Sequence, residues 1–219
     1  MTKKQWFWRI LFYLTGMVVM AFGVVLCTNA NLGISCMTSF PFAVSKASGI
    51  NFSVALFGFY MLTMLAQIVL IGREFKLRDL FQLPFSVAFS LLVDGFETVM
   101  QFHFDLLWQN LLLLLLSLLC MASGVSLMIN MKFVPNPADG MTYCFSKRMR
   151  MSLGLAKNIL DISFVILSAA TDLIFSGTVT SGGIGTVCAA VLMGRFVALI
   201  DWLFKARMLR MAGLAQTPA

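Results

Sequence analysis

Charge is scarce in this sequence. Of 219 residues only 11% are charged and 60% are apolar, whereas a soluble domain carries about 25% charged and 45–50% apolar residues. No single water-soluble core can absorb that excess, which excludes a soluble enzyme. Histidine is nearly missing: with His103 as the single one, no His/Cys zinc cluster can be assembled. Cysteine pairs are missing as well. Cys27, Cys36, Cys120, Cys144 and Cys188 are an odd set without a CxxC spacing and read as small core hydrophobes. Gly-x-Ser-x-Gly and His-Glu-x-x-His do not occur, so the two common hydrolase signatures are unavailable and no enzyme is expected. The glycine-rich run Ser176–Gly185 lacks the Gly-Lys-Ser/Thr ending of a phosphate loop; it reads as a flexible outer loop that lets the next span pack closely. No cofactor is expected.

What is present is long apolar runs. Six can cross about 30 Å of hydrocarbon, over residues 10–30, 52–72, 82–101, 108–131, 153–175 and 184–204. The first is too long for a signal peptide and lacks an A-x-A-like site, so it is expected to be retained. The net charge of +7 falls between these runs, with no basic helix to suggest nucleic acid. Placing the N-terminus inside puts Lys3, Lys4, Arg9, Arg73, Lys76, Arg78, Lys132, Lys147, Arg148, Arg150, Lys205, Arg207 and Arg210 on the cytoplasmic side, 13 of 16 basic residues. Only Lys46 is then outside, with Lys157 and Arg195 within spans. The positive-inside rule therefore sets both termini in the cytoplasm.

Sliding the sequence against itself by 101 residues aligns Gly23 with Gly124, Leu26 with Leu127, Asn29 with Asn130, Ser45-Lys46 with Ser146-Lys147, and Ala88 with Ala189. Each copy holds three spans, an odd number, so the second must enter the membrane from the opposite face. Inverted three-plus-three repeats recur in secondary transporters, with sites near the midplane. The expected fold is an all-α polytopic membrane protein: one membrane domain over 1–219, with repeats at 10–105 and 108–206 and a cytoplasmic tail at 207–219. After the first span of each repeat comes a segment too short to cross. Asn136-Pro137-Ala138-Asp139 reads as a helix start, with Asn as N-cap, Pro at the first position and a carboxylate at the positive end. Ser35 is the equivalent N-cap. Both segments, 35–47 and 136–148, are either re-entrant half-helices or interfacial helices, and Pro41 is expected to kink or break the first.

A charge at mid-span costs roughly 2.5–3.5 kcal/mol on insertion scales and needs a partner or a polar cavity. Asp94 and Arg195 coincide at the 101-residue offset and are expected to pair, as a structural lock or as a switch. Glu97 shares the Asp94 face as a second candidate partner. Lys157 and Asp161 are four apart on span five, so Lys157 either snorkels to the interface or pairs with Asp161, beside Asn158. Asp172 and Asp201 are placed at the interface by their positions near span ends, and His103 and Asp105 are given no role. Asn29 and Asn130 either cap helix ends or offer amides to a ligand.

Pro135-Asn136-Pro137-Ala138-Asp139-Gly140, the Lys157…Asp161 pair, and Gly183-Ile184-Gly185-Thr186 followed by Gly194 together resemble the YczE/YyaS/YitT group of bacterial integral membrane proteins, most closely the YczE-like branch, over residues 10–205. The resemblance implies a bacterial cytoplasmic-membrane protein of about six spans and supplies no substrate. Arg195 stands where that pattern has an apolar residue, which leaves the Asp94–Arg195 pair outside what the resemblance covers.

The function expected from these features is a secondary transporter or permease for a small polar molecule, anionic or zwitterionic if half-helix N-termini face it. The other reading is a non-transporting subunit, either the substrate-capture component of an ATP-driven importer or a scaffold for a partner membrane protein. Expected partners are the lipid bilayer, a small-molecule substrate, and a second copy or a membrane subunit, but no nucleic acid. The inverted repeat has a direct test. In Lys46→Cys and Lys147→Cys variants, a membrane-impermeant maleimide should reach position 46 from outside and position 147 from inside. Labelling of both from one side overturns it.

Overall fold

The computed structural model describes residues 2–72, 77–102, 104–178 and 181–214. Arg73, Lys76, His103, Val179 and Thr180 lie outside the described residues. Among those described there are eight α-helices and no strand. They are α1 (Lys3–Asn29), α2 (Cys36–Ser48), α3 (Phe52–Ile71), α4 (Gln82–Val99), α5 (Leu107–Asn130), α6 (Pro137–Met149), α7 (Leu153–Ser176) and α8 (Ile184–Met211), with a short 3-10 helix, Leu77–Phe81, ahead of α4. Six of these are long and apolar enough to cross a membrane: α1, α3, α4, α5, α7 and α8. The chain is thus built as a multi-pass membrane protein.

The first and last spans exceed the apolar stretches that announce them. The first helix begins at Lys3 because Thr2 and Gln5 form a reciprocal capping box, satisfying two N-terminal donors before the apolar run starts. The last helix continues about two turns into the basic segment ending at Met211.

The two short helices start at the expected positions, but only Asn136 caps with its side chain; Ser35 makes no side-chain cap bond. Asn136 accepts from the Ala138 amide at 3.0 Å, and Pro137 occupies the first turn, where its missing N–H costs nothing. Pro41 does not break α2, which runs through it from Cys36 to Ser48. It stands in the second turn, so only the N–H that would have met the Met37 carbonyl is lost.

Element boundaries recur at the 101-residue displacement. Asn29 and Asn130 end the first helices, Cys36 and Pro137 begin the short ones, and Phe52 and Leu153 begin the next spans. Asn31 and Lys132 have positive φ of 50° and 52°. Gly49 and Arg150 close the short helices in the left-handed conformation. Ser45 Oγ donates to the Ile50 carbonyl at 2.7 Å, and Ser146 Oγ to the Met151 carbonyl at 2.9 Å. The serine of each Ser-Lys pair therefore locks the turn between the short helix and the following span.

Two features organise the bundle. First, α1 and α5 cross antiparallel and almost touch along their backbones. A Cβ on Gly124 would lie 2.5 Å from the Gly16 carbonyl oxygen and 2.7 Å from the Met20 nitrogen. One on Gly23 would lie 2.9 Å from the Ser117 carbonyl oxygen and 2.8 Å from the Met121 nitrogen. The second set of partners is the first displaced by 101. Second, the short helices pack mainly on the other half of the chain: α2 on α7, and α6 on α3. Phe42 meets Phe52 and Phe40 meets Phe59, so α2 also folds back antiparallel along α3. The core centres on α1, α3, α4 and α5, with Tyr60 and Phe89 wholly enclosed.

The glycine crossing yields a clean contrast. Gly124→Ala should lower the Tm of the purified protein by several degrees, since overpacking against backbone costs about 1–3 kcal/mol. Gly58 has nothing within 4 Å of its would-be Cβ, so Gly58→Ala should hold or raise the Tm. Equal behaviour of the two variants would remove the crossing from its organising role.

Candidate functional site

A cavity of about 460 Å³ lies where the two short helices begin. Its walls come from both halves: Ser35 to Thr38 at the start of α2, Asn136, Ala138 and Asp139 at the start of α6, Met20 from α1 and Met121 from α5. Met20 and Met121, Ser35 and Asn136, Met37 and Ala138, and Thr38 and Asp139 are each 101 residues apart. Tyr60 and Asp161, which also line the cavity, make a fifth pair, so five equivalent pairs face one space. The remaining wall breaks the equivalence: α7 supplies Lys157 and Asn158, and α8 supplies Ala189, Met193 and Gly194. At the positions of α3 displaced from Lys157 and Asn158 stand Leu56 and Phe57, and α3 packs against α4. No comparable α7–α8 packing occurs among the described residues, and the cavity occupies that interval.

The cavity is mainly apolar with a few charged groups. Lys157 Nζ pairs with Asp161 Oδ2 at 3.3 Å along α7 and approaches Met37 Sδ at 3.8 Å. Of the alternatives posed by spacing, the pair is formed. Asn136 caps α6 and donates to Tyr60 Oη at 3.4 Å, which fixes its amide. Asp139 is the third residue of α6, where the helix N-terminus favours an anion. Burial opposes this and raises its carboxyl above the ordinary range, Lys157 works against that rise, and Asp161 adds to it.

Asp139, Asn136, Lys157, Asn158 and Asp161 are brought together here; the other candidates are not. Among the described residues no ion pair joins Asp94 to Arg195. Asp94 accepts from Ser53 Oγ at 2.8 Å on neighbouring α3, while Arg195 lies exposed on α8. The reason is topological: α4 packs on α1 and α3, and α8 on α5. Glu97 sits one turn from Asp94, also away from the cavity. Neither Asn29 nor Asn130 lines the cavity, and Asn130 Nδ2 also donates to the Ser126 carbonyl in the last turn of its own helix at 2.8 Å. Asn29 Nδ2 donates to the Met100 carbonyl at 2.6 Å, and Asn130 Nδ2 to Asp201 Oδ1 at 2.8 Å. Met100 and Asp201 are again 101 apart, so each asparagine ties the first span of its half to the last.

Several contributors escaped the sequence reading. Asp201 is no idle interfacial residue: it accepts from Ser126 Oγ and Asn130 and pairs with Lys205 at 3.4 Å. Asp172 is only 1% exposed, accepting from the Ser181 amide at 2.6 Å and the Ser181 hydroxyl at 3.0 Å. The glycine-rich run is pinned there and again where the Gly185 amide donates to the Leu32 carbonyl at 2.7 Å. A Cβ on Gly185 would meet the Gly33 carbonyl oxygen at 2.7 Å, so these glycines serve close packing. Gln67 and Gln82, both 1% exposed, exchange amide bonds of 2.9 and 3.1 Å, and Gln67 also donates to the Pro137 carbonyl at 3.0 Å. Gly140 leaves room for them, since a Cβ there would lie 2.7 Å from Gln67 Oε1. The Asn-Pro-Ala-Asp-Gly string is therefore a cap, a helix start, a cavity carboxylate and a seat for a buried amide pair. Isolated glutamines in apolar spans were the available signal for that pair.

A larger groove, about 610 Å³, runs between α1 and α4. Its lining is apolar apart from Arg9 and Tyr13, whose polar atoms bond the carbonyls of Met131, Lys132 and Val134 at 2.7–3.0 Å. It offers no converging polar groups.

The chain belongs to a family of unknown function (DUF6198), whose model matches residues 7–201. No curated protein and no solved structure matches it.

The asparagine tethers are structural by this geometry. Asp201→Leu strips Ser126 and Asn130 of a charged acceptor, and such hydrogen bonds contribute about 1.5–3 kcal/mol each. A fall in Tm should follow, with Asp201→Asn losing less. A Tm unchanged in Asp201→Leu would show that the tether does not hold α8.

Proposed function

We propose that this member of a family of unknown function is a secondary transporter, or permease, for a small polar molecule, and that the cavity between the short helices is its substrate site. The observation that carries the reading is the five pairs of 101-displaced residues facing that one space. An arrangement of two inverted three-helix repeats puts a pseudo-twofold axis there, and a site on such an axis can face either membrane surface in turn. The reciprocal glycine contacts of α1 and α5 support the same symmetry, because a twofold axis makes residue i meet j wherever j's equivalent meets i's.

In this reading α2 and α6 are re-entrant half-helices whose N-termini meet at the site. Their positive ends and Lys157 favour a carboxylate or other anionic group, and Asp139 and Asp161 a cationic one, so a zwitterion suits the cavity best. Both termini lie on the cytoplasmic side of a bacterial inner membrane, with the loop between α5 and α6 on the same side. The shared Asn-Pro-Ala-Asp-Gly segment supports kinship with the YczE-like proteins.

A second reading has its own observation. Most of α8 is unburied, and it carries exposed Arg195 within its apolar length. A charge at that depth with no ion pair among the described residues favours a neighbouring subunit, as expected of an assembly or substrate-capture component.

Thermal stability of the detergent-purified protein across a library of amino acids, vitamins and other zwitterionic metabolites separates the two. A ligand at 100 times its Kd should add about 2.7 kcal/mol, and Asp161→Asn or Lys157→Gln should abolish the shift. A blank screen with folded protein, together with co-purification of an ATPase or membrane partner, would replace the transporter reading with the second.

A further inference from the structure

The central cavity is one of three spaces that meet at a single side chain. Asp139 lines the 460 Å³ cavity, a smaller one of about 140 Å³ beside Lys132, and a third of about 330 Å³ that contains Asp79, Lys147 and the Gln67–Gln82 pair. No other residue lines all three. Among the described residues no hydrogen bond or ion pair involves its carboxylate, whereas the other cavity acid, Asp161, is held by Lys157. The neighbouring amides are engaged: Asn136 with Tyr60 and the Ala138 amide, Gln67 with Gln82 and Pro137.

We propose that Asp139 is a proton-binding residue standing between the central cavity and the pocket of Asp79 and Lys147, taking up a proton from one space and presenting it to the other. The coupling of that proton to substrate movement rests on the transporter reading; the proton site itself does not. The step is a simple protonation, carboxylate plus proton giving the neutral acid. It needs no further reactant.

Its surroundings make the site adjustable. From α7 it meets Lys157 and Asp161, from α3 the Tyr60 hydroxyl, and from α2 the Cys36 thiol across the cavity. The loop ahead of α6 brings Lys132, α6 itself Cys144 and Lys147, and the 3-10 helix Asp79. A nearby cation lowers a carboxyl pKa and a nearby anion raises it. Separation of the Lys157–Asp161 pair by a bound zwitterion would change both influences at once, which is how occupancy of the cavity reaches the proton.

Two measurements on the full-length protein test the assignment. Dicyclohexylcarbodiimide adds only to protonated carboxyls in apolar surroundings: the acid oxygen bonds its central carbon and the acid proton passes to nitrogen, leaving an adduct found by peptide mass spectrometry. Labelling at Asp139 should extend above the ordinary carboxylate range and then fall about tenfold per pH unit above its half-point. Lys157→Gln should move the half-point up and Asp161→Asn down. The second measurement is Tm against pH. A carboxyl raised by folding binds its proton more tightly folded than unfolded, so its contribution is lost as pH rises through the folded value. Wild type should lose Tm over that interval and Asp139→Asn should not.

Identical pH profiles for the two proteins, or labelling that persists to higher pH at Asp161 or Glu97 than at Asp139, overturn the proposal. Should Asp139→Asn fail to fold, the labelling profile of wild type, Lys157→Gln and Asp161→Asn decides alone. A blank ligand screen with Asp139 protonating as described overturns transport but leaves the proton site. A ligand hit with no titration at Asp139 does the reverse.

Discussion

The backbone crossing of α1 and α5 sets the dimensions of everything around it. Gly16, Gly23 and Gly124 let the two helices approach until carbonyl and Cα surfaces touch, an economy that membrane bundles favour because lipid provides no hydrophobic force between helices. Close approach at that axis brings Met20 opposite Met121. It also determines how far apart the loops at 30–35 and 131–136 lie. A larger residue at any of the three positions would spread the centre, and with it the short helices hung from those loops.

Around that axis the halves are interlocked rather than adjacent. Each short helix leaves its own first span, turns at a residue of positive φ, and packs on a span of the other half. Neither half can bury α2 or α6 alone. The interlock also explains why polar groups concentrate at the helix starts: the chain must reverse there inside an apolar bundle, and every freed backbone or side-chain group needs a partner. Asn136, Gln67, Gln82 and Tyr60 supply those bonds around α6. Ser39, whose hydroxyl donates to the Cys36 carbonyl at 2.7 Å, does the same for α2. The two sides are filled unequally, aromatic along α3 and charged along α7.

The helices were legible in the sequence for definite reasons. Span lengths follow from apolar runs against bilayer thickness, and the starts of α2 and α6 from Ser35 and from Asn136-Pro137. The cavity was half legible. Asn136, Asp139, Lys157, Asn158 and Asp161 stood out as polar residues in apolar surroundings, and the structure gathers them. The pairing of Asp94 with Arg195 failed because a shared 101-residue offset does not by itself bring two residues together, and α4 packs on α1 and α3 while α8 packs on α5. Asn29 and Asn130 were noticed for the same equivalence, yet their partners, Met100 and Asp201, lie 71 residues along the chain, beyond any local rule.

By itself the sequence determined the number of apolar helices, their caps and turns, and the 101-residue recurrence, because each depends on periodicity, local hydrogen bonding or composition within a few residues. Tertiary structure alone decided which charges meet. Asp94 turns to Ser53, Arg195 stays exposed, and Asp139 faces three spaces with no hydrogen-bond donor among the described residues. Those outcomes depend on how closely α1 and α5 approach and on α2 and α6 crossing between halves, and such distances are set by the packing of residues far apart in the chain.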